Sequence, residues 1–96
     1  MAKVKILHWQ DIPSVVEARD KDGVHKELLS ERFQELIDLI AMKKKLMGTD
    51  EYLMQWHKGR NYEVKGTAKE AAVAVKEDFE SKYKEIRKSE LAKAVG

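Results

Sequence analysis

Hydrophobic and polar residues alternate from the start of the chain. Over 3–9, Val4, Ile6 and His8 fall on one side of an extended segment and Lys5, Leu7 and Trp9 on the other. Gln10–Pro13 reads as a turn, because Pro13 lacks an N–H and holds Ile12 extended. A second alternating run over 14–20 sets Val16 and Ala18 against Val15, Glu17 and Arg19. Asp22-Gly23 is a hairpin signal, after which Val24, Lys26 and Leu28 alternate with His25 and Glu27. The pattern predicts a three-stranded antiparallel meander over 3–9, 14–20 and 24–28, although Glu27-Leu28-Leu29 also suits a helix.

The period then lengthens. Leu29, Phe33, Leu36, Ile37, Ile40 and Ala41 form a 3.6-residue stripe, which predicts a helix over 31–47. Ser30 is its expected N-cap, Glu31 complements the dipole, Lys43–Lys45 occupy the last turn, and Gly48 stops it. Thr49-Asp50-Glu51 opens a short helix over 50–58, with Tyr52, Leu53 and Trp56 on one face and Gly59 after it. Leu53 and Trp56 are read as its anchors on the core. Tyr62 and Val64 alternate with Glu63 as a short fourth strand. Thr67-Ala68-Lys69-Glu70 is a capping box, and Ala68, Ala72, Val75, Phe79, Tyr83 and Ile86 continue as one stripe to about Arg87. Asp78–Lys82 and Glu80–Lys84 are favourable i,i+4 pairs.

These elements predict an α+β fold: a small antiparallel sheet with two long helices and one short helix packed on one face. The face bearing Lys5 and Glu17 stays partly wet. Residues 1–96 form one domain, with a frayed tail over 88–96. Phe33, Ile37, Ile40, Val75 and Phe79 are the expected buried centre.

Composition narrows the chemistry. The 19 Lys and Arg against 17 Asp and Glu leave a net charge of +2, without the concentrated basic excess of a dedicated nucleic-acid binder. With no cysteine, disulfides, thiolate catalysis and Cys-ligated metals are excluded. The first residues do not resemble a signal peptide, and no apolar run approaches the ~20 residues that span a bilayer. A soluble cytoplasmic protein is expected, with no membrane partner.

His8, His25 and His57 have no metal-motif spacing, so neither a metal site nor a cofactor is expected. Ser14, Ser30, Ser81 and Ser89 lack a nucleophile-elbow setting, and the glycines stand singly rather than in a phosphate loop. Asp20/Asp22 and Asp50/Glu51 read as turn and cap residues. Two clusters remain as a candidate interaction surface. One is Trp9 with Asp11 at the first turn; the other is Tyr52, Trp56, His57, Lys58, Arg60 and Tyr62. Aromatic residues beside cations suit a protein interface, stacked single-stranded nucleic acid or an anionic ligand.

Several stretches together resemble the small bacterial virulence-factor family, whose domain also begins larger conserved virulence factor proteins. They are Trp9-Gln10-Asp11-Ile12-Pro13, Leu29-Ser30-Glu31-Arg32-Phe33 with Ile37-Asp38 and Ala41-Met42, Gly48-Thr49-Asp50-Glu51-Tyr52-Leu53 to Trp56, and Glu63-Val64. Gln10 and His57 stand where the family often carries arginine. The resemblance implies no reaction. It implies an accessory role, and an association with one-carbon and corrinoid methyl-transfer metabolism.

The expected function is therefore a non-enzymatic accessory domain that binds another protein. The alternatives are a handler of a small anionic ligand or cofactor in one-carbon metabolism and a weak nucleic-acid binder.

Overall fold

A computed structural model describes residues 1–95. The strands are β1 (Ala2–Trp9), β2 (Ile12–Asp20), β3 (Gly23–Leu28), β4 (Trp56–Lys58) and β5 (Tyr62–Val64). The helices are α1 (Glu31–Lys43), α2 (Asp50–Met54), α3 (Ala68–Ser81) and α4 (Tyr83–Val95). The fold is α+β, with sheet order β3-β2-β1-β4 and β5 also pairing with β1. Every pairing is antiparallel. The predicted meander is present. The sheet has one more strand than expected, because 56–58 pairs with β1 instead of extending α2.

The turn between β1 and β2 is tighter than predicted. Trp9 pairs with Ile12, so only Gln10 and Asp11 form it, and Gln10 takes the left-handed φ of 54°. Pro13 lies inside β2 where the register slips. Leu7 pairs with Val15 but His8 pairs with Pro13, leaving Ser14 without an opposite residue. A proline is tolerated at such a bulge because no ladder N–H is needed there. The slip reverses the predicted facing of Trp9. Three steps along β1 now match four along β2, so Trp9 joins Val4 and Ile6 in the core while His8 is only half-buried.

The core lies between one face of the sheet and helices α1 and α3. Its fully buried side chains include Trp9, Ile12, Val16, Phe33, Leu36, Ile37 and Ile40. Val75 and Phe79, expected at its centre, pack against its border and are half-buried. Leu53, expected to anchor the short helix, is 65% exposed; Tyr52 turns inward instead.

Helix α1 stops at Lys43, earlier than the end at 47 predicted from the lysine run and Gly48. Leu46 N–H donates to the Ala41 carbonyl and Lys45 N–H to that of Met42, at 2.8 and 3.1 Å. This is a Schellman closure, with Lys45 at φ 59° in the left-handed position usually given to glycine. Gly48 is not the stop; it sits in the following turn at φ 75°. Ser30 occupies the N-cap position but makes no side-chain cap. Its N–H and Oγ–H both donate to the Glu80 carboxylate, at 2.7 Å each.

The predicted long last helix breaks at Lys82 into α3 and α4. Glu80 does not pair with Lys84. It is drawn to Arg32, whose guanidinium bonds its carboxylate and also takes its backbone carbonyl at 2.7 Å. That carbonyl would otherwise accept from the N–H of residue 84 in a continuous helix. Ser81 Oγ–H also donates back to the Asp78 carbonyl, a bond that bends helices. The chain beyond 88, expected to fray, continues as α4 to Val95 and packs on α1. Gly96 of the expected tail lies outside the described residues. The Thr67–Glu70 capping box forms as predicted, and Asp20 adds to it by accepting the Ala68 N–H at 2.7 Å.

Candidate functional site: the uncovered face of the sheet

The helices cover one face of the sheet and leave the other open. Strand alternation and register determine what stands there. Lys3, Lys5 and Leu7 come from β1, Val15, Glu17 and Arg19 from β2, and Val24, Lys26 and Leu28 from β3. Lys58 of β4 is opposite Leu7, and Glu63 of β5 is opposite Lys3.

The register sorts these residues into bands. Leu7, Val15 and Leu28 lie abreast as an apolar row, and Lys5, Glu17 and Lys26 lie abreast beside it. Lys3 sits directly opposite Arg19. Like charges in that position destabilise a sheet, so this pair is a cost to folding. Five cations therefore share the face with two carboxylates, Glu17 and Glu63. Glu17 is held loosely by two of the cations, Lys26 at 3.8 Å and Lys58 at 3.9 Å. A groove of about 280 Å³ runs over the apolar row, lined by Lys5, Leu7, Val15, Glu17, Lys26, Leu28 and Lys58. A second hollow of about 210 Å³ adjoins it, lined by Lys3, Lys5, Glu17, Arg19 and Asn61.

The residues singled out from the sequence do not form one patch. Trp9 is fully buried and belongs to no surface. Its Cα partner across the sheet is Trp56, and Tyr52 packs against both indoles, so these three aromatics form the seam that fixes α2 and β4 on the core. Tyr52 and Trp56 are half-buried. Asp11 is exposed and reaches Lys93 of α4 at 3.3 Å. Arg60 is exposed in the link between β4 and β5. Tyr62 is partly exposed beside α3, where burial and then the charge of Asp78 raise its hydroxyl pKa. Lys58 is the one of the eight that lines the groove.

His57 is exposed and stacks on His8, with ring centroids 5.4 Å apart. His57 Nε2 lies 2.7 Å from the Gln10 carbonyl, whereas His8 Nδ1 is buried with no hydrogen-bond partner. Burial, then the His57 charge, lower the His8 pKa from its usual value. Among the described residues, no group of three or more His, Cys, Asp or Glu side chains is placed to hold a metal ion.

The open face was legible as strand alternation, but its charge was not. Along the sequence Lys3, Lys5, Arg19, Lys26 and Lys58 are scattered among acids; they gather only when four strands lie side by side.

These features define a small α+β domain with one sheet face left bare and cation-lined. The chain belongs to the virulence factor family, whose model matches residues 7–92. No curated protein and no solved structure matches it. Among the described residues no helix is long and apolar enough to cross a membrane.

Proposed function

We propose that this domain is a non-enzymatic accessory module, acting in the cytoplasm, that docks another protein on the uncovered face of its sheet. The observation that carries this reading is the apolar row Leu7–Val15–Leu28 bordered by Lys5, Lys26 and Lys58. An interface needs an apolar centre to supply affinity and a polar rim to steer encounter and choose the partner. The cations favour a partner segment that is acidic around apolar anchors. The interaction surface expected around Trp9 moves in this reading to the opposite face, with Lys58 retained.

Nucleic acid fits less well. The groove offers no aromatic ring for bases to stack on. A small anionic ligand is the second reading, favoured by Lys5, Lys26 and Lys58 around the groove, whose volume of about 280 Å³ lies just below the usual range for ligand pockets. A cofactor-handling role in one-carbon metabolism would use the same groove.

The test is affinity capture from the native host with the wild-type chain and with a Lys5→Glu/Lys26→Glu/Lys58→Glu variant whose circular dichroism matches it. A defined protein held by the wild type, lost by the variant and insensitive to nuclease is the expected result. Retention of every captured protein by the variant would place the functional surface elsewhere.

A further inference from the structure

We propose that the partner joins the sheet as an added strand along β3, placing an acidic residue opposite Lys26 and apolar residues opposite Val24 and Leu28. This inference rests on the docking reading above and places the partner at the β3 end of that face, where Lys26 and Leu28 of the groove stand.

Strand β3 ends the sheet. It pairs with β2 on one side, and among the described residues no strand pairs with its other side. An antiparallel edge of this kind presents N–H and C=O groups that an extended peptide can satisfy. The opposite side of the sheet is less suitable, because it is divided between β4 and β5, each of three residues, whereas β3 runs for six.

The side chains of β3 define the added strand. Val24 is 49% exposed and Leu28 69%, and Lys26 stands between them on the same face. Natural edges are usually blunted by charge, so two exposed aliphatic residues flanking one lysine leave apolar area for a partner to bury. Lys26 has capacity for another carboxylate: it reaches Glu17 only at 3.8 Å, and its side chain is 64% exposed. On the other face of β3, Glu27 already engages His25 and, at 3.8 Å, Lys76 of α3. The added strand therefore needs short polar residues on that side. The matching pattern is apolar, polar, acidic, polar, apolar.

The same geometry disfavours a second copy of the chain. Antiparallel pairing of two β3 strands that sets Val24 against Leu28 also sets Lys26 against Lys26, and like charges directly opposite are destabilising.

The probe is a synthetic peptide of sequence Ser-Val-Thr-Glu-Thr-Val-Ser, titrated against the full chain. It is compared with its scrambled form and with two versions N-methylated on alternate residues, one in each frame. A strand adding to an edge uses the amides of one frame only. The expected result is binding by the parent peptide and loss of more than about tenfold in affinity in one N-methylated frame, with little change in the other. Lys26→Glu should shift preference to the peptide carrying Lys in place of Glu. Binding insensitive to both frames overturns strand addition while leaving face docking intact. Absence of binding by the parent peptide overturns strand addition, and the host capture above then decides the docking reading separately. A wild-type dimer in sedimentation that dissociates on Val24→Lys would assign the edge to a second copy and also overturn the proposal.

Discussion

The indole N–H of Trp9 donates to the backbone carbonyl of Tyr52 at 2.9 Å. This bond ties the end of the first hairpin to the short helix α2. It also satisfies the one polar group of an otherwise apolar, fully buried side chain.

Trp9→Ala should accordingly destabilise the domain by ~3–5 kcal/mol, the usual cost of deleting a buried large aromatic. Urea unfolding with tyrosine fluorescence and circular dichroism measures it. A midpoint close to wild type would mean that Trp9 does not hold the core together.

Glu80 joins the end of α3 to the start of α1 through Ser30 and Arg32. Glu80→Ala should cost ~1.5–3 kcal/mol, the range for hydrogen bonds to a charged group. Burial alone would raise the pKa of this carboxyl. The Ser30 backbone and hydroxyl bonds, with Arg32, outweigh burial and hold it below its usual 4.5. The linked stability is therefore present above about pH 4.5 and is lost as pH falls through the lower folded value. Glu80→Gln should flatten this acid limb in thermal melts; an unchanged limb would assign acid sensitivity to other carboxylates.

Lys45 holds a left-handed backbone position at φ 59°. Lys45→Gly removes the Cβ strain of ~1–2 kcal/mol but adds unfolded-state entropy of ~0.5–1 kcal/mol. A net stabilisation of ~0.5 kcal/mol is expected, seen as a small rise in Tm. A fall in Tm would show that the lysine side chain contributes more than its strain costs.

His8 should make the domain pH-sensitive in a second window. Its folded pKa is lowered from the usual 6.5, chiefly by burial and then by His57. The folded state thus binds its proton less readily than the unfolded chain does. The stability from neutral His8 is present above pH 6.5 and declines as pH falls from there toward the lowered value. Melts from pH 7.5 to 5 should show this decline in the wild type and a weaker one in His8→Gln. Equal slopes would remove His8 as the cause.

Much of the architecture was legible in the sequence because local periodicity carries it. The three strands, the amphipathic face of α1 with Phe33, Ile37 and Ile40, and the Thr67–Glu70 capping box each depend on neighbours within a few residues. So did the family resemblance, which rests on short stretches in fixed order. The same local cues failed where distant residues competed for a group. The stripe from Ala68 to Ile86 is continuous in sequence, yet Arg32 takes the Glu80 carbonyl from 48 residues away and divides the helix. Trp56 has helical spacing from Tyr52 and Leu53, yet 56–58 becomes a strand because β1 offers it an open edge. Trp9 alternates outward on paper and turns inward because β2 carries one extra residue opposite it. The candidate site depended most on tertiary structure. Alternation along each strand determined which residues leave the core, but only the side-by-side register of separate strands brought Lys5, Lys26 and Lys58 around one apolar row. Charge sums over space rather than along the chain.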